Sequence, residues 1–218
     1  MLKLNLQQFG APGHTTGLTA GTFQNLQLNA GAFFKNCDYS SIANAGALKT
    51  AIQAAIAGTS GALGTLLGAT RGGGSFTVRK ELRQPDADGK RYGYKGDTFV
   101  DSVEALLSTT LIEITPNAFK MALGSADITG SSPKQTIKLR TAINTNDYLT
   151  NICWVGDLAD GRYVLICLYN ALNEADVTLT FTDKGEGTIP VEFHAKQSQV
   201  DDYDEAPFEI VYFSAASL

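Results

Sequence analysis

The chain has 218 residues, of which 44% are hydrophobic and 18% charged, with a net charge of −5. That length admits one generous domain or two small ones, and the apolar fraction supports a real core. The acidic balance excludes the basic surface that nucleic-acid binders present to phosphates.

Three cysteines, Cys37, Cys153 and Cys167, form no CxxC and no framework of pairs, so they are expected as reduced, buried thiols made in a cytoplasm. The opening MLKLNLQQFG is too short and polar for a signal peptide, and no apolar run is long enough to span a membrane. With 22 glycines and many Thr, Ser and Asn, the composition suits a β-rich chain with many turns.

Residues from Met1 to about Gly21 read as a mobile terminal segment, since APGHTTGLTAG is rich in Gly and Thr and has no periodicity. Phe23 to Phe34 reads as a first strand, with Leu26 and Leu28 alternating against Asn25, Gln27 and Asn29. Leu48, Ile52, Ala55 and Ile56 recur at helical spacing, which predicts a helix from about Gly46 to Ala57, with Ser40-Ser41 as a cap and Gly58 as the stop. The glycine-rich run from Gly58 to Gly74 invites a phosphate-loop reading and fails it, because neither GxxxxGK[ST] nor GxGxxG after a strand is present. Its glycines are expected to let a loop pack closely against a neighbouring chain or sheet.

From Ser75 to Arg83 the chain nearly alternates, with Phe76, Val78 and Leu82 on one face and Ser75, Thr77, Arg79, Glu81 and Arg83 on the other. That is the mark of a half-buried strand whose polar face meets water. A second, long strand is predicted from Phe99 to about Ile114. Its apolar side changes along its length, which a bulge near Leu106-Leu107 would produce. Between the two lies Gln84 to Asp97, too long for a hairpin turn and rich in Gly, Asp and Lys or Arg. It reads as an arm that reaches outward, with Asp88-Gly89 as a turn and Pro85, Asp88, Arg91, Tyr92, Tyr94 and Lys95 as contact residues. Tyr92 and Tyr94 are the anchors. Thr115 as N-cap, Pro116 at the first position and Gly124 as a left-handed stop frame a short helix.

A polar linker follows Gly124, then a short strand from Thr136 to Arg140. Asp147–Leu158 and Gly161–Leu172 form a hairpin around Asp160-Gly161, and Val164–Leu168, apolar on both faces, marks a central strand or an assembly face. Val177 to Thr182 alternates cleanly. Ile189, Val191 and Phe193 answer from the next strand, with Glu192 and His194 outward. Asp201 to Glu205 is an acidic loop, and Phe208 to Phe213 is a last strand. Eight or nine strands and two helices give a mainly β chain, a β-sandwich or incomplete barrel with a flanking α-helix. It is taken as one domain over residues 1–218, with the mobile segment at 1–21 and the projecting loop at 84–97.

Nothing in the chain reads as catalytic. His14 and His194 lack a Cys or acidic partner at ligand spacing, so no metal site is expected. Asp201, Asp202, Asp204 and Glu205 lack the EF-hand pattern and read as a solvated loop. No GxSxG elbow is present, and Asp183 and Glu186 read as turn chemistry. No cofactor is expected. The lone Trp154 is a core or interface anchor.

Several stretches together resemble the major tail tube proteins of long-tailed phages and related prophages of Gram-positive bacteria. They are LQLNAGAFFKN (26–36), LGATRGGGSF (67–76), ELRQPDADGKRYGYKGD (81–97), LSTTLIEITPNAFKMALGSAD (107–127) and Asn151 to Gln197. The resemblance implies a virion structural subunit, assembled in the host cytoplasm and resident in the virion tail. It would form six-fold rings that stack into a hollow tube through which DNA passes without specific binding. It would also meet other tail proteins: tail tip, tape measure and terminator. Each subunit would give strands to a lumen-lining barrel with a helix outside, and the Gln84–Asp97 arm matches in position a loop that reaches the neighbouring subunit. On this reading Arg79, Glu81, Ser102, Glu104, Ser108 and Thr110, polar on their strand faces, are the candidates to face the lumen. The same features admit an inner-tube protein of a contractile injection system. They also admit a non-catalytic β-sandwich binding module, although most aromatics fall on apparent core faces or in the arm.

Overall fold

The computed structural model describes residues 19, 21–59, 63–181, 183–198 and 205–214. In chain order the elements are β1 (Ala32–Lys35), α1 (Ala45–Ile56), β2 (Thr65–Leu66), β3 (Thr70–Arg83), β4 (Phe99–Leu111), α2 (Pro116–Leu123), β5 (Ala126–Ser131), β6 (Lys134–Leu139), β7 (Leu149–Asp157), β8 (Tyr163–Asn173), β9 (Ile189–His194) and β10 (Phe208–Phe213). The fold is mainly β, as the turn-rich composition predicts. Eight strands join in one antiparallel sheet in the order β2-β1-β7-β8-β9-β4-β3, with β10 also on β8, while β5 and β6 form a separate hairpin.

β8 is the strand on which the sheet divides. Its first half, Tyr163 to Leu168, pairs with β10, and its last residues, Leu172 and Asn173, pair with β9. One layer is therefore β2-β1-β7-β8-β10 and the other β9-β4-β3. Phe33, Ile152 and Leu168 of the first layer share a core with Ala105, Leu107, Val191 and Phe193 of the second, closed at one end by Ala118 and Ala122 of α2. Burying each large apolar side chain contributes about 1.5–3 kcal/mol.

The other face of the first layer lies under α1. Phe34, Cys153, Val155, Leu165 and Cys167, one residue out of step with the first set, meet Leu48, Ala51 and Ala55. This alternation between two cores is why Val164–Leu168 is apolar on both sides. Alanines on the helix face let it sit close, and Asn44 starts it by accepting from Ala47 N at 3.0 Å. All three cysteines lie in this layer, free and buried. Burial pushes the Cys153 thiol well above the ordinary thiol range, which suits packing rather than reactivity.

β3 lies across the first layer. A Cβ on Gly74 would fall 2.5 Å from Phe33 Cζ, and the Phe76 and Phe208 rings meet edge to face with centroids 5.5 Å apart. Gly74 is thus a place where a bare backbone permits close approach, but as part of β3, which begins at Thr70, and not of the loop expected over Gly58–Gly74.

Several expected elements differ. Phe23–Phe34 is not one strand. Thr22–Asn25 is a 3-10 turn, Gln27 makes a single bridge to Leu158, and β1 begins at Ala32, after Gly31 at φ +75°. The α1 cap is Asn44, since Ser40 instead bonds Asp38. β4 stops at Leu111, and its register shifts against β3 fall between Ser102 and Val100 and between Thr109 and Leu111 rather than at Leu106-Leu107. The polar linker after Gly124 is the β5–β6 hairpin, because its residues pair in register although few of them are buried. Of Val177–Thr182, Thr182 lies outside the described residues, and the rest makes a single bridge, Thr180–Thr188, with Phe181 exposed. The hairpin of β7 and β8, the last strand and α2, with its Thr115 cap and Pro116, stand where expected.

Candidate functional site

β3 and β4 form a long two-stranded ribbon whose far half leaves the body. Residues paired across an antiparallel ladder share a face. Ser75–Ser108, Thr77–Leu106, Arg79–Glu104 and Glu81–Ser102 lie on one side, Phe76–Leu107, Val78–Ala105 and Lys80–Val103 on the other. The polar side is knitted by side chains. Ser75 and Ser108 hydroxyls are 2.8 Å apart, Arg79 Nη1 donates to Glu104 Oε2 at 3.2 Å, and Ser102 donates to Glu81 at 2.9 Å. β9 extends this face, since it pairs Ser108 with Glu192, Leu106 with His194 and Thr110 with Pro190. The structure therefore gathers Arg79, Glu81, Ser102, Glu104, Ser108 and Thr110 on one side of a three-stranded sheet.

His194 was expected on the outer side of its strand beside Glu192, with no acidic partner at ligand spacing. It is on that side, but it is 7% exposed, and carboxylates enclose it. Glu104 Oε1 lies 2.9 Å from Nδ1, Glu192 Oε1 lies 3.0 Å from Nε2, and Glu174 reaches Nδ1 at 3.7 Å. One carboxylate thus stands against each ring nitrogen of His194. Hydrogen bonds from His194 and Arg79 hold the Glu104 carboxyl below its ordinary range. Lys196 pairs with Glu174 at the end of the cluster. Glu192 was legible from its spacing of two to His194. Glu104 and Glu174 come from distant positions, and only the β4–β9 and β8–β9 pairings bring them there.

Among the described residues, nothing covers the apolar side of the ribbon beyond Val78. The register shift skips Asp101, so that Val100 faces with Leu82, and Arg83 holds Asp101 by an ion pair at 3.0 Å. On this side Leu82 is 60% exposed and Val100 56%, while Phe99, paired with Arg83, is 51% exposed on the other side.

The arm continues from this ribbon as two successive turns. Lys90 N donates to Ala87 O at 3.0 Å and Asp97 N to Tyr94 O at 3.2 Å, with Gly89 at φ +86° and Gly96 at φ +99° in the positions that need left-handed backbone. Lys90 clasps the two, reaching Pro85 O at 2.8 Å and Asp97 at 2.7 Å. The Lys90 contact and the Tyr94 amide hold the Asp97 carboxyl below its ordinary range. Sequence reasoning left Lys90 out of the contact residues, since nothing local marks it as a clasp. Asp88, Arg91, Tyr92, Tyr94 and Lys95 point away from the body, Tyr92 78% and Tyr94 65% exposed.

Trp154 is an anchor within one chain, packed against the main core and donating from its indole nitrogen to Ala30 O at 2.9 Å. Among the described residues no group of His, Cys, Asp and Glu has metal-holding geometry, and no helix is long and apolar enough to cross a membrane. His14, Asp201, Asp202 and Asp204 lie outside the described residues. No protein-family model matches the sequence, and no curated protein matches it.

Proposed function

We propose that the protein is a self-assembling structural subunit, a tail tube protein whose six-fold rings stack into a hollow conduit for DNA. The observation that carries this reading is the projecting ribbon. It is polar and charge-paired on one face and apolar on the other, and it ends in an arm with two exposed tyrosines. A two-stranded ribbon is marginal in water alone, and a contiguous exposed apolar face marks an interaction surface. A second copy supplies the cover in a head-to-tail ring. The face bearing Arg79, Glu81, Ser102, Glu104, Ser108 and Thr110 then lines the lumen. There the paired charges, and a net charge of −5, leave DNA unretained. Tail tip, tape measure and terminator proteins are the further partners, and the virion tail is the place of action.

Negative-stain microscopy of the purified protein, with and without a tail-tip initiator, tests this. Rings or tubes with a central channel are the expected result. A protein that stays monomeric at high concentration under both conditions would overturn the reading. Within tubes, Glu104→Lys is expected to slow DNA passage more than it harms assembly.

A further inference from the structure

We propose that the cavity between the end of β1 and α2 is a binding site for a small oxyanion, a phosphate or carboxylate group, held between Lys35 and Lys120. No residue of the ribbon or the arm lines it, and its volume is about 190 Å³. Pockets for drug-sized ligands and cofactors run to about 300–1,000 Å³, so this one fits a small ion with its waters.

Lys35 is the last residue of β1, and Lys120 lies in the last turn of α2. Both are half-buried and both line the cavity. Among the described residues neither forms an ion pair. Lys35 Nζ reaches the Met121 sulfur at 3.8 Å, and a thioether is a weak acceptor. Burial, and then the Lys120 charge, lower the Lys35 ammonium from the ordinary lysine range. Two like charges lining one recess without a facing acid repel each other, and a bound anion turns that repulsion into attraction.

The other polar groups deep in the cavity are already engaged. The Asp147 carboxylate pairs with Arg140 and accepts from Asn144 N at 2.8 Å. The Asn173 amide donates to Ala122 O and accepts from Glu192 N. The donors left for a ligand are the two ammonium groups and, at the exposed rim, the amides of Asn117 and Asn146. Asn117 and Lys120, three residues apart, share a face of α2. Buried Ala171 and Phe193 form the apolar wall, and a low local dielectric strengthens the ionic attraction across it.

Thermal melting in an oxyanion-free buffer, with inorganic phosphate exchanged for chloride at constant ionic strength, tests the site. At about ten times its dissociation constant, phosphate is expected to raise the Tm of the parent by about 3–6 °C. Lys35→Met and Lys120→Met, which remove the charge and keep an unbranched stem, are expected to lose that rise. Lys49→Met, at an exposed position on α1, is expected to keep it. Without phosphate, Lys35→Met should melt no lower than the parent, because it removes a half-buried ammonium that has no counter-ion. A rise that survives in both cavity variants would overturn the proposal, and so would a Lys35→Met protein that melts well below the parent in both buffers. Phosphorus NMR of inorganic phosphate with the parent needs no variant: a saturable change in line width is expected, and its absence would overturn the site. Sedimentation velocity then assigns the source of the anion. Unchanged sedimentation identifies a free ion, and copies that separate as phosphate binds identify a carboxylate of another copy; both retain the two-lysine site. The melting and NMR readouts require no rings or tubes, so their failure is distinct from failure of the assembly reading.

Discussion

Gly74 lets β3 pack closely against Phe33 and β4, and adding a single methyl there tests that geometry. In Gly74→Ala the new Cβ would stand 2.4 Å from the Ser108 carbonyl oxygen and 2.5 Å from Phe33 Cζ, both well inside contact distance. Phe33 is 1% exposed and Ser108 belongs to the paired strand, so the carbonyl cannot yield without moving the ladder. Overpacking of this kind costs about 1–3 kcal/mol. Taking about 2 kcal/mol, a chain of this size loses about 4–8 °C in Tm. Thermal melting followed by circular dichroism reads this directly. Adding Phe33→Leu removes Cζ but leaves the Ser108 oxygen in place, so the double variant is expected to stay destabilised. A Gly74→Ala protein that melts like the parent would refute the close packing of β3 on β1. Full recovery on adding Phe33→Leu would show that the ring alone limits the approach. Because the relaxation must move β4, Gly74→Ala is also expected to impair tubes under conditions where the body remains folded.

Replacing Pro85–Gly96 with an Asn-Gly turn should leave a folded subunit by circular dichroism and abolish tubes by negative stain, since the clasp of Lys90 on Pro85 and Asp97 is internal to the arm; an unfolded product would place core contacts in the arm. Glu104 has a folded carboxyl pKa below the ordinary 4.5, so its stabilising contribution is complete above that value and is lost as pH falls through the folded one. The Tm gap between the parent and Glu104→Gln should accordingly be open at neutral pH and close on acidification, and a gap independent of pH would count against the His194–Glu104–Arg79 linkage. Asn173 donates to Ala122 O at 2.6 Å and accepts from Glu192 N at 2.6 Å while 7% exposed. Asn173→Ala, which strands both groups, should therefore cost about 2–4 kcal/mol in urea unfolding. The three thiols should resist a chromogenic disulfide reagent until urea unfolds the chain, and rapid reaction of the native protein would contradict their burial under α1.

The clearest sequence signals belonged to local chemistry. Thr115-Pro116 and Gly124 delimit α2 because a cap, a preset φ and a left-handed stop act within one turn. The alternation of Ser75–Arg83 and the Asp160-Gly161 turn place β3 and the β7–β8 hairpin for the same reason. From that alternation, the polar residues expected to share a face on β3 and β4 do share one.

What the local pattern misled about was pairing. Leu26 and Leu28 alternate like a strand, yet Gly31 turns the chain and Leu28 stays 62% exposed. The residues after Gly124 look like a linker, yet they pair as β5 and β6, because a ladder is satisfied by a partner and not by composition. The bulge sits at Asp101, where Arg83 holds the carboxylate, rather than where two leucines adjoin. The enclosure of His194 by Glu104, Glu174 and Glu192 needs β4, β8 and β9 side by side. Spacing along a chain determines which face a side chain takes, since the pleat has period two. Which strand lies next to it is decided by burial across the whole fold, and that only the tertiary structure contains.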